Sequence, residues 1–161
     1  LRYKSDRRFF GWIAYTLSRS ERRESFDRPL RAFQFDQTHI LTVLGSYKLG
    51  AGWQVGARFR LVSGNMYTPN VGGTVDLDSG SYAPRSAVPA FGSRLPPFHQ
   101  LDLRVDKTWQ FKQWSLLAYL DVLNVYNNQN PEGVSYNYNY SQQSIASGVP
   151  ILPTLGIRAE L

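Results

Sequence analysis

Strict alternation of apolar and polar residues over eight to ten positions admits few folds, and this chain does it three times. Trp53, Val55, Ala57, Phe59 and Leu61 alternate with Gln54, Gly56, Arg58 and Arg60. Leu101, Leu103 and Val105 alternate with Gln100, Asp102, Arg104 and Asp106. In the closing TLGIRAEL, Leu155, Ile157, Ala159 and Leu161 alternate with Thr154, Gly156, Arg158 and Glu160. A period of two puts one set of side chains on each face of a β-strand. No stretch combines a 3.6-residue repeat with helix caps.

Three looser segments read the same way: 9–20, 38–49 and 114–126. The expectation is six antiparallel strands of about ten residues. Their connections alternate in length. Gly50–Gly52 and Gln110–Gln113 are tight turns, whereas 21–37, 62–99 and 127–150 are long. All the long connections therefore leave one end of the sheet. Tyr136, Tyr138 and Tyr140 also alternate, and they read as a strand extension within the last long connection. A seventh crossing there would break the long–short order.

Alternation does not say whether the apolar face meets a protein core or lipid. A soluble sandwich or barrel would bury Phe59, Leu103, Val105 and Ile157. A transmembrane barrel turns them outward and lines its lumen with the polar set. Strand length favours the membrane, because ten residues at ~3.3 Å, tilted ~40°, span about 25 Å. Trp53, Trp109 and Trp114 flank the short turns, where an interfacial aromatic belt belongs. If the chain ends on the periplasmic side, the short turns are periplasmic and the three long connections extracellular.

Composition removes other classes. The 161 residues hold no cysteine, so neither a disulfide scaffold nor a cysteine zinc site is open to them. No apolar run approaches ~18 residues, which excludes a membrane-spanning helix. Aromatic residues make up 14% of the chain, enough to argue against disorder. The opening LRYKSDRRFF is charged, lacks a signal-peptide apolar core and reads as the middle of a longer sequence.

Long stretches resemble the C-terminal barrel portion of TonB-dependent outer-membrane receptors. These are FDQTHILTVLGSYKLGAGWQVGARFRLVSGNMYTP, SRLPPFHQLDLRVDKTWQFKQWSLLAYLDVLNVYN, NPEGVSYNYNY and GVPILPTLGIRAEL. The last eight residues also resemble an outer-membrane assembly signal: Thr154, then Gly156, then apolar Ala159 and Leu161, with Leu161 in place of the usual terminal aromatic. The resemblance implies an up-and-down transmembrane β-barrel of 22 strands, plugged by an N-terminal domain. It implies import of a siderophore, cobalamin, carbohydrate or similar nutrient, driven by the TonB complex. Implied partners are outer-membrane lipid and lipopolysaccharide, the plug, the barrel assembly machinery and the imported ligand. About six strands are present here, fewer than the eight of the smallest single-chain barrels, so the expected shape is an open sheet completed by other strands.

Lumen-facing Arg58, Arg60, Asp102, Arg104, Asp106 and Asp121 are expected to brace the wall and meet the plug. Tyr67, Tyr82 and Phe91 are candidate ligand contacts in the 63–98 segment, or else aromatics that pack that segment on the rim. Asp76-x-Asp78 followed by Ser-Gly, with Asn65 upstream, resembles part of a calcium loop but lacks its closing glutamate, so 63–98 reads as a mobile surface loop. Arg19, Arg22, Arg23, Arg28 and Arg31 crowd the first long connection among Glu21, Glu24 and Asp27. They could form a self-paired solvated loop or a site for lipopolysaccharide phosphates or another anionic ligand. A nucleic-acid stripe lacks a stacking motif or recognition helix. His39 near Asp36 and His99 near Asp102 invite a hydrolase reading, but no G-x-S-x-G nucleophile motif accompanies them. They read as rim histidines, and no catalytic, cofactor or metal residue is assigned.

Overall fold

The computed structural model describes residues 2–3 and 8–161, the former pair by backbone only. Part of the charged opening stretch thus lies outside the described residues. The strands in chain order are β1 (Arg2–Tyr3), β2 (Phe9–Leu17), β3 (Glu21–Arg22), β4 (Arg31–Ala32), β5 (His39–Gly50), β6 (Trp53–Val62), β7 (Met66–Tyr67) and β8 (Asn70–Asp76). There follow β9 (Ser81–Ser86), β10 (Ser93–Arg94), β11 (Phe98–Gln110), β12 (Ser115–Leu123), β13 (Pro131–Tyr136), β14 (Gln143–Ser147) and β15 (Leu152–Glu160). No helix occurs among the described residues.

One antiparallel sheet carries the architecture, in the order β1-β2-β5-β6-β11-β12-β15. Each strand pairs with its neighbour along the chain, with the long connections skipped over, so the topology is an up-and-down meander. The six expected strands are its six long members. The short β1 adds an edge pairing through Arg2 opposite Trp12 and Tyr3 opposite Gly11. Among the described residues β1 and β15 do not pair with each other, and the sheet stays open.

Register extends the alternation across the whole sheet. Ile13 faces Val43, Val43 faces Phe59, and Phe59 faces Leu101. Leu103 faces Ala57 and Val122, and Ala118 faces Ile157. The opposite side aligns Arg58 with Asp102 and Arg104 with Asp121. It is charged over β6 and β11 and mixed elsewhere, where Trp12, Leu44 and Leu117 lie.

Among the described residues no second layer covers the apolar side. Leu103 is 40% exposed and Ile157 80%, and Phe59 and Val105 are half-buried. The buried apolar side chains among the described residues are Val62 and Leu95, both at the long-connection end. The core that a soluble sandwich would need from Phe59, Leu103, Val105 and Ile157 is therefore not formed here. Burial normally supplies the main stabilising free energy of a fold, so this sheet presents an unusually large unspent apolar surface.

The short turns are as tight as read. At Gly50–Gly52 all three residues have positive φ, and a Cβ on Gly52 would run into the Thr108 carbonyl. The long connections are more ordered than read. Rather than one mobile loop, 63–98 contains two hairpins, β7/β10 and β8/β9. Asp76 closes the second: its carboxylate accepts from the Asp78 and Ser79 backbone N–H groups and from Ser79 Oγ. The tyrosine extension is also corrected. Tyr136 ends β13, but 137–142 form the turn to β14, with Tyr140 at positive φ. That turn is held by Asn137 and Asn139 side chains that cap Gln142 and Ser141.

Candidate functional site

The charged patch on the second face is built by β6, β11 and β12. Arg58 donates from Nε and Nη2 to Asp102 Oδ2 at 2.9 and 2.7 Å. Asp102 Oδ1 accepts from Gln100 Nε2 at 2.6 Å and from the Asn124 backbone N–H at 3.0 Å. Asp102 is thus only 5% exposed yet fully partnered, as a buried carboxylate must be. Next to it, Arg104 donates to Asp106 Oδ1 at 3.0 and 2.8 Å and lies 3.8 Å from Asp121. Its guanidinium stacks 4.0 Å above the Tyr119 ring. Five of the six expected charged residues therefore converge around a hollow of about 350 Å³. Arg60 stands apart, with its guanidinium 5.5 Å from the Phe98 ring.

Tyr119 also explains one residue of the closing octet. Gly156 lies directly opposite it, and the Tyr119 ring occupies the space a Cβ at 156 would take. Thr154 Oγ1 donates to the Asp121 carbonyl at 3.2 Å. Ala159 faces Leu116 on the apolar side, and Leu161 follows the last strand, fully exposed. The octet is thus split between both faces of an edge strand.

At the long-connection end two polar nodes tie the rim together. Arg94 donates to the Asp36 carboxylate at 2.7 Å, to the Asp36 carbonyl at 2.5 Å and to the Gly64 carbonyl at 2.8 Å. Asp36 also accepts the Ser20 backbone N–H at 2.6 Å. That bond first, then Arg94 and Thr38, holds the Asp36 carboxyl below its ordinary pKa, against the opposing effect of burial. The second node is asparagine. Asn124, 1% exposed and at positive φ, donates to the Asn128 and Val149 carbonyls, while its own oxygen accepts the Asn128 N–H. Asn130 accepts from His99 N and from Asn128 Nδ2.

The three candidate aromatics do not form one contact surface. Tyr67 lies in β7 opposite Ser93. Tyr82 meets Tyr138 edge-on at 5.7 Å, while the Asn70 N–H donates to Tyr136 Oη, so tyrosines pin the β8/β9 hairpin to the last connection. Phe91 lies under the Arg31 guanidinium at 4.7 Å. Asn65 accepts from Gln37 and belongs to the base of its connection, not to the Asp76–Asp78 tip. In the arginine-rich connection, Arg19 pairs with Glu21 at 2.5 Å and Arg31 with Glu24 at 2.6 Å. Arg22 stacks on Phe33, and Ser25 donates to Asp27.

Neither histidine reaches the carboxylate near it in sequence. His39 Nδ1 meets Tyr15 Oη at 2.8 Å and His99 Nδ1 meets Tyr126 Oη at 2.9 Å, each pair with stacked rings. These matched pairs border the apolar face at the long-connection end. Trp53, Trp109 and the stacked Phe111–Trp114 pair border it at the short-turn end. Between Trp109 and Trp53 sits Lys107, a cation within the apolar register.

Arg94 and Tyr119 carry no local sequence signal, since Arg94 acts on partners 30 to 58 residues away and Tyr119 across a strand pair; the asparagine node joins local bonds between Asn124, Asn128 and Asn130 to distant ones with Asp102, Val149 and His99. Lys107 was open to detection, because it shares the parity of Leu101, Leu103 and Val105. Comparisons with family models, with curated proteins and with solved structures return no match.

Proposed function

We propose that this chain is wall and rim of an outer-membrane β-barrel of the TonB-dependent receptor kind. Its apolar face meets lipid, its charged face lines a water-filled bore, and its long connections project outside the cell. In this reading the hydrogen-bonding groups of the open edges are satisfied by further strands, because an unpaired edge in hydrocarbon costs several kcal/mol per group. The carrying observation is an uncovered apolar face bordered at both ends by aromatic and amphipathic side chains. Tyr, Trp, His and Lys suit the level where hydrocarbon gives way to water.

The role is structural and ligand-directing, and no covalent chemistry is assigned. The ion-paired patch at Arg58, Asp102, Arg104, Asp106 and Asp121 stiffens the wall and offers charged groups to a plug. The rim hairpins, fixed by the Asp36–Arg94 and asparagine nodes, hold the connections that would meet an imported siderophore, cobalamin, carbohydrate or comparable nutrient. The closing octet would be read by the barrel assembly machinery, and lipopolysaccharide would flank the outer rim.

The test is fractionation of the producing bacterium combined with a nutrient-limitation assay. The protein is expected in the outer membrane, extractable only with detergent, and its disruption is expected to impair growth when iron, cobalamin or a carbohydrate is supplied at limiting levels. Recovery of the protein from the aqueous fraction without detergent would refute the proposal.

A further inference from the structure

Lys107 is the one Lys, Arg, Asp or Glu on the apolar face of the six long strands. Its ammonium donates to the Ala51 carbonyl at 2.6 Å and lies 5.0 and 5.6 Å from the Trp53 and Trp109 rings. An ammonium has three N–H donors, so this one keeps donors to give, and no carboxylate of the six long strands shares its face. Directly beside it runs an apolar trough of about 640 Å³, within the size range of small-molecule sites. The trough opens at a small residue. Ala118 faces Lys107 on one side and Ile157 on the other. Val105, Leu120, Leu155 and Ile157 form the walls.

We propose that this trough binds an anionic glycerophospholipid, with its phosphate on the Lys107 ammonium and an acyl chain along Ala118, Leu120, Leu155 and Ile157. The inference rests on the reading that this face meets lipid, and it adds a specific ligand to it. A cation at the short-turn end, held by two indoles at interfacial depth, complements a headgroup phosphate. The apolar channel extends from it toward the middle of the strands, where a chain attached to that headgroup would run. A neutral or zwitterionic lipid would fill the trough equally well but would draw no net charge complementarity from Lys107.

A photoreactive benzophenone side chain at Leu155 tests this in the intact protein in its own membrane, with adducts identified by mass. Adducts enriched about fivefold in anionic phospholipid over the whole-membrane extract are expected, the preference one interfacial lysine supplies. Lys107→Gln is expected to return the ratio to that of the extract, and Lys107→Arg to keep it. Ala118→Leu, which narrows the trough, is expected to lower total lipid adducts whatever the headgroup. Wild-type adducts that match the extract, enrichment that survives Lys107→Gln, or capture of lipopolysaccharide instead of phospholipid would each overturn the proposal while leaving the lipid-facing reading intact. Capture of protein alone would overturn both.

Discussion

Gly156 and Tyr119 form a lock whose cost is purely steric. Gly156 has ordinary extended geometry, so a methyl group there meets no backbone penalty, only the Tyr119 ring. Gly156→Ala is expected to destabilise the sheet by about 1–3 kcal/mol, as overpacking does. Adding Tyr119→Ala should recover most of the steric part, a coupling readable from denaturant midpoints in a double-mutant cycle. Asp36 makes a different demand. Its pKa is lowered in the fold, foremost by the Ser20 N–H. The stability it contributes is therefore fully present above the ordinary carboxylate value of about 3.9 and is lost as pH falls through the lowered one. Hydrogen exchange, corrected for its intrinsic pH dependence, should show 18–38 and 62–97 loosening together on acidification. Asp36→Asn should loosen both already at neutral pH and leave little further response to acid. Exchange that stays unchanged in Asp36→Asn would remove the clamp assigned to Arg94.

Single elements were legible wherever one period ruled them. All six long strands follow from alternation, their ends shifted by a few residues because fraying and turn geometry are not written in hydrophobic pattern. The rim hairpins were not legible. NVGGTVD in β8 mixes glycine with both parities, and the tyrosines of VSYNYNY alternate across what is actually a turn closed by Asn137 and Asn139. Of the site, the Arg58–Asp102 and Arg104–Asp121 pairs were within reach of parity, since register places them face to face. The Asp36–Arg94 clamp was not, because its partners stand 58 residues apart with no pattern joining them. At this scale the two faces of one strand pair give a sharp contrast. Leu103 lies four residues from both Lys107 and His99, midway between the bordering levels. Leu103→Arg is expected to cost about 2–4 kcal/mol in a bilayer, the midplane penalty for a lipid-facing charge. Gln54→Arg, opposite Asp106 on the charged face, should be within about 0.5 kcal/mol of neutral. Equal costs at the two positions, from denaturant titration in lipid, would contradict the assigned faces.

For the molecule as a whole, the decisive property is a sheet whose apolar face is half-covered at best and, among the described residues, has no second layer over it. Only two apolar side chains among the described residues are buried, little against the conformational entropy of ordering this many residues, and in the proposed reading the missing cover comes from outside them. In that reading hydrocarbon would meet the need on one face, and hydrated ion pairs would meet water on the other. The absence of cysteine allows this to be measured residue by residue. Single cysteines along 100–107, each carrying a nitroxide, would report collisions with oxygen, which concentrates in lipid, and with a water-soluble nickel chelate. Labels at Leu101, Leu103 and Val105 should collide mainly with oxygen and those at Gln100, Arg104 and Asp106 mainly with the chelate, in strict alternation. Labels at Leu101, Leu103 and Val105 that neither reagent reaches would mean a protein core beneath that face and would contradict the lipid-facing assignment.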